Sequence, residues 1–161
     1  QFREFEAILG RRDIAGEGAD KKTGMGMAEH LIEGSPARKA VEEAMTRNSL
    51  WDSALHYFKK NGHKVPKDLL ARDVSKPYEA NEELQEVLLK LHRTDPDAAA
   101  ICERLLDLDE GLQEWRYRHV KMVERTIGRK MGTGGSAGVD YLASTLFRSV
   151  FPDLWAIRSR F

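Results

Sequence analysis

At 161 residues, 41% hydrophobic and 32% charged, the chain is long enough to bury a core, and its length favours a single domain over 1–161. Its 26 basic side chains balance 26 acidic ones, so no net field draws nucleic acid or an anionic membrane surface, and recognition falls to local groups. One cysteine, Cys102, excludes an internal disulfide, and no run reaches the roughly 20 apolar residues of a membrane span; this pattern points to a cytoplasmic protein.

The opening QFREFEAILG predicts a helix with Phe2, Phe5 and Leu9 on one side and Gly10 as its stop. A start at Gln1, inside a helix and without methionine, predicts a fragment or processed product of a longer protein. Residues 11–28 are rich in glycine and charge without a period, and read as an exposed, flexible loop that adds little to a core. Ser35-Pro36 then supplies an N-cap and a first-turn proline for a short helix ending near Asn48. Ser49 caps the next, in which Trp51, Ala54, Leu55 and Phe58 recur at helical spacing and Gly62 follows the end. His63 to Tyr78, with Pro66 and Pro77, reads as a connector.

Asn81 opens a helix carrying Leu84, Val87, Leu88 and Leu91, and Asp95-Pro96 opens the longest element, expected over about 96–130. Along it Ile101, Leu105, Leu108, Leu112, Trp115, His119, Met122 and Thr126 alternate spacings of four and three, which predicts an inward seam. Arg129 and Lys130 suit its C-terminal dipole, and Gly132 is its expected end. The glycine-rich loop GTGGSAG leads to C-terminal helices, one in VDYLASTLF and a last short one opened by Pro152. No period-two strand appears, so the expected class is all-α: a helical bundle with one long central helix.

His119 is the residue that asks for an explanation. A polar ring on an apolar seam is either a core histidine satisfied by a carbonyl or carboxylate, or a ligand. The remaining histidines, at 30, 56, 63 and 92, lack the spacing of a zinc site. A single inward imidazole suits haem, which needs one axial nitrogen and an apolar helix face; Trp115, Met122, Val123 and Thr126 could form that face. Arg116, Arg118, Lys121 and Arg125 are either a solvated surface or partners for haem propionates. The GTGGSAG loop, with Thr133, is either a linker or an anion cradle of backbone N–H groups. Arg3, beside Phe2 and Phe5, is a surface arginine or a bidentate carboxylate ligand. Cys102 reads as a buried, inert thiol.

Taken in order, WRYRHVKMVERTIG, GTGGSAGVDYL and FPDLWAIR resemble the C-terminal half of tryptophan 2,3-dioxygenases, and LLDLDEGLQEW, RDVSKPY and QFREFEAILG extend the similarity backwards. The resemblance implies the C-terminal part of a larger haem dioxygenase domain. It implies haem b as cofactor and the insertion of O2 across the indole C2–C3 bond of L-tryptophan, giving N-formylkynurenine at the head of the kynurenine pathway. It also implies a homotetramer. By the same resemblance His119 is the proximal iron ligand, Thr133 contacts the substrate's ammonium and carboxylate, and Arg3 pairs with the carboxylate. The family's distal pocket residues precede the segment that begins at Gln1, so no catalytic residue is expected within this chain, and the 161 residues alone are expected to be inactive. The alternatives are a noncatalytic helical module for haem binding or assembly, and a related haem enzyme acting on another indole.

Overall fold

Four of the helices begin where a short polar side chain replaces a missing backbone partner. The structure, a computed structural model, describes residues 2–12, 33–128, 143 and 146–161, and all regular elements among them are helical. They are α1 (Phe2–Leu9), α2 (Pro36–Thr46), α3 (Leu50–Lys60), α4 (Lys67–Leu70), α5 (Glu82–Thr94), α6 (Pro96–Ile127) and α7 (Pro152–Ala156), followed by a 3-10 turn, Ile157–Arg160. Ser35 Oγ accepts from Arg38 N (3.2 Å), Asn81 Oδ1 from Leu84 N (2.9 Å) and Asp95 Oδ1 from Ala98 N (3.0 Å). At Ser49 the cap is reciprocal: its Oγ accepts from Asp52 N at 3.1 Å while Asp52 Oδ2 accepts from Ser49 N at 2.9 Å. The connector contains one unexpected helical turn, α4, which follows Pro66 and lays the half-buried Leu69 and Leu70 against the core.

One cluster of buried side chains joins α3, α5, α6 and the C-terminal segment. Trp51, Leu55 and Phe58 meet Leu84, Leu88 and Leu91, then Ala98, Cys102 and Leu105, and finally Phe151, Leu154 and Ile157. The Trp51 and Phe151 rings lie 5.5 Å apart. Buried carboxylates lock this packing by accepting donors that would otherwise be orphaned. Asp153 takes Asn81 N (2.8 Å), Gln85 Nε2 (2.9 Å) and the Tyr78 hydroxyl. Asp109 Oδ2, on α6, takes Val150 N (2.9 Å), Phe151 N (3.2 Å) and Trp155 Nε1 (2.9 Å), so one side chain of the long helix gathers three donors of the C-terminal segment.

Two expectations are corrected and a third is refined. Arg11 and Arg12 were expected to begin an exposed loop, yet both are buried. Arg12 Nε donates to Val74 O at 2.9 Å, and its Nη atoms reach the carbonyls of Ala7, Arg11, Ala44 and Arg47, so this planar fork of donors gathers the ends of several elements. The rest of the expected loop, residues 13–28, lies outside the described residues.

The second correction concerns faces. The buried line of α6 runs Ala98, Cys102, Leu105, Leu106, Asp109, Leu112, Arg116 and Val120, whereas Leu108, Trp115 and Met122 are exposed. On α1, Glu6, Ala7 and Leu9 are buried while Phe5 and Ile8 face outward. Both helices therefore turn apolar side chains outward, because Asp109, Arg116 and Glu6 have buried partners that set the rotation.

The third is a refinement: the long central helix expected over about 96–130 is present as Pro96–Ile127, with Gly128, at φ 64°, as its cap in place of Gly132. A positive φ is readily adopted by glycine, which has no Cβ to clash. Lys130, Gly132 and the VDYLASTLF residues Tyr141, Leu142 and Thr145 lie outside the described residues.

Candidate functional site

His119 sits in the last third of α6, half-buried, between the buried line and the exposed apolar line. One turn earlier, the Trp115 indole stacks on its imidazole with centroids 5.0 Å apart and planes 8° from parallel. Spacing of i, i+4 brings such rings together on a helix surface. Trp115 is 43% exposed and Met122 56% exposed, so the histidine lies within an apolar strip open to the outside. Among the described residues the His119 ring accepts and donates no hydrogen bond, and the indole stack is its one ring contact.

The cations around it divide by partner. Arg116 does not face solvent: it is buried, and its Nη2 and Nε donate to Glu6 Oε1 at 2.7 and 3.2 Å. Its Nη1 donates to Arg148 O at 3.1 Å. Arg118 pairs with Glu114 at 2.6 Å and Lys121 with Glu124 at 3.0 Å, both on the exposed surface of α6, which is what a solvated helix face predicts. Arg125 is exposed.

Of the other expected site residues, Arg3 lies in α1, one turn before Glu6, and its side chain is outside the described set. Thr133 and the GTGGSAG loop lie outside the described residues. Cys102 is buried in the core, where burial pushes its thiol up to about 12; it remains protonated and unreactive at neutral pH. The structure thus brings Arg3's helix and His119's helix together through the Glu6–Arg116 pair, a connection that apolar periodicity could not reveal. Its only trace in the sequence is a glutamate and an arginine beside the two residues of interest.

An imidazole with no hydrogen bond among the described residues, on an apolar strip with an indole and a thioether, fits one axial ligand position and the flat face of a macrocycle. Among the described residues no group of three or more His, Cys, Asp or Glu could hold a bare metal ion. No described helix is long and apolar enough to cross a membrane.

The fold thus defines an all-α protein whose long helix carries a half-buried histidine stacked on an indole. The family model described as tryptophan 2,3-dioxygenase matches residues 92–161. A tryptophan 2,3-dioxygenase of Herpetosiphon aurantiacus is 47% identical over 159 residues, covering 99% of this chain and 56% of the relative. One from Anaeromyxobacter sp. strain K is 50% identical, covering 98% of this chain and 55% of the relative. A third, from Saccharopolyspora erythraea, is 36% identical, with 99% and 54% covered. The chain belongs to the tryptophan 2,3-dioxygenase family, and it spans about 55% of the length of these curated relatives.

Proposed function

We propose that this chain is the haem-ligating part of a dioxygenase that converts L-tryptophan and O2 to N-formylkynurenine. The observation that carries the proposal is the half-buried, unbonded His119 on an open apolar strip of α6. Haem, when bound, supplies the redox chemistry with O2 that amino-acid side chains lack. His119 would hold the iron through a ring nitrogen, and the parallel Trp115 indole limits rotation of that ring about its own axis. Trp115 and Met122 would cover apolar surface of the bound group and exclude water from its edge.

Arg3, on α1, would take the substrate carboxylate through a two-pronged, charge-assisted contact, and Thr133 would add a hydroxyl to the amino-acid end. These contacts hold the indole in one place, which is catalysis by positioning. By family resemblance, the groups on the opposite side of the substrate fall in the length of the relatives that this chain does not match. The 161 residues alone are therefore expected not to turn over tryptophan, and a cytoplasmic homotetramer is the expected working assembly. The outward Leu108, Trp115 and Met122 support a surface that is covered in that complete protein.

The test is the visible spectrum of the protein reconstituted with haem, compared with His119→Ala. A Soret band typical of histidine ligation that disappears in the variant supports the assignment. The same band in both proteins refutes it.

A further inference from the structure

A buried carboxylate here faces two buried arginines. Glu6 Oε1 accepts from Arg116 Nη2 at 2.7 Å, Arg116 Nε at 3.2 Å and Arg11 Nη1 at 3.4 Å, and all three side chains are almost wholly withdrawn from water. Arg116 Nη1 extends the node to Arg148 O, next to the segment held by Asp109. For stability alone, apolar residues of the same volume serve as well or better, because desolvating two charges offsets most of their attraction. What an ion pair with directed hydrogen bonds adds is a defined separation and rotation of the elements that carry it.

Those elements carry the two ends of the proposed site. On α1, Arg3 is three residues before Glu6, and on α6, His119 is three residues after Arg116. Residues three apart are neighbours on a helix surface, separated by ~4.5 Å along the axis. The pair also explains why α1 buries Glu6 and turns Phe5 and Ile8 outward.

We infer that Glu6 and Arg116 are positioning residues that set the separation between the arginine receiving the substrate carboxylate and the histidine holding the cofactor. The inference rests on the functional reading of Arg3 and His119 above. Neither Glu6 nor Arg116 touches substrate; they act by fixing α1 against α6.

The experiment uses the full-length, haem-loaded protein and two probes, L-tryptophan and tryptamine, which lacks the carboxylate. Affinities are read from the spectral change on binding, and the His119-dependent Soret band is read in every sample. Two variants are compared: Glu6→Gln, which keeps the side-chain shape, and the doubly apolar E6M/R116M, which removes the buried charges together. Both are expected to keep the Soret band and to lose about tenfold of the preference for tryptophan over tryptamine, since displacements near 1 Å are enough for such losses. Tryptamine affinity is expected to be unchanged.

A variant that folds and keeps the wild-type preference overturns the inference. So does an equal loss for both probes, or loss of the Soret band in both variants, because the pair would then support the fold and set no separation. Arg3→Leu in the otherwise unaltered protein separates the two levels: if it leaves the preference intact, the functional reading of Arg3 fails whatever the Glu6 variants do.

Discussion

Replacing Asp109 by alanine is expected to unfasten the C-terminal segment from the long helix. Asp109 is fully buried, and its Oδ2 accepts from Val150 N, Phe151 N and Trp155 Nε1 at 2.9, 3.2 and 2.9 Å. Val150 and Phe151 are themselves buried, so after truncation two backbone N–H groups have no acceptor and little access to water. Each such orphan costs roughly 1–3 kcal/mol, while the half-exposed indole N–H can find solvent and adds less. Release of a buried carboxylate offsets part of the loss. The net expectation is about 3 kcal/mol, a large share of the roughly 5–15 kcal/mol by which folded domains are stable.

For a chain of this size that loss lowers Tm by about 6–12 °C. Urea unfolding followed by far-ultraviolet circular dichroism measures it, with an unchanged m value showing that the same surface is exposed. Asp109→Asn keeps an acceptor oxygen but loses its charge, and is expected to cost about 1–2 kcal/mol. If Asp109→Ala lies within about 1 kcal/mol of the wild type, the C-terminal segment is held by its other contacts and the reasoning fails.

His92 predicts acid sensitivity. Burial holds its imidazole below the ordinary value of 6.5, with Glu103 opposing and Arg158 adding to that shift, so the unfolded chain binds the proton more readily and stability falls as pH drops below about 6.5. His92→Leu is expected to flatten the stability profile between about pH 5 and 6.5, and an unchanged slope would locate the acid sensitivity elsewhere. Cys102, with its thiol pushed up to about 12, is expected to resist iodoacetamide at neutral pH until urea unfolds the chain; prompt labelling of native protein contradicts its burial. Gly10→Ala places a Cβ at a φ of 130° and 3.1 Å from Ser49 Oγ, and is expected to lower stability by about 1–3 kcal/mol in the same urea assay. A neutral result would mean that the α1–α3 junction relaxes freely.

How far the chain could be read in advance depended on the range of the interaction. Ser35, Ser49, Asn81 and Asp95 each cap a helix through an N–H three residues ahead, so the information is local and the starts of α2, α3, α5 and α6 followed from it. Family membership was legible for a similar reason: WRYRHVKMVERTIG, GTGG and FPDLW are ordered motifs that need no knowledge of packing. Cys102 and the core of Trp51, Leu55, Phe58, Leu84 and Leu88 also fell where apolar spacing put them.

Which face of α6 turns inward did not follow. Apolar residues occupy two adjacent strips, and a repeat of three and four fits either, so periodicity alone favoured the strip holding Trp115, His119 and Met122. The packed chain keeps Leu105 and Leu112 of that seam inside but turns Leu108, Trp115 and Met122 outward, because Asp109 and Arg116 find partners 41 and 110 residues away. The same long-range pairing turned Glu6 inward and Phe5 outward, and converted Arg11 and Arg12 from expected loop residues into buried ones.

The amino-acid order by itself determined the helical class, most helix starts and the family, since these rest on side chains reaching only a turn or so along their own backbone. Tertiary structure decided the rotation of α1 and α6, and with it the setting of His119 beside a stacked indole on an open strip. Buried ions cost too much to leave unpaired, and their partners lie too far along the chain for any local pattern to reveal them.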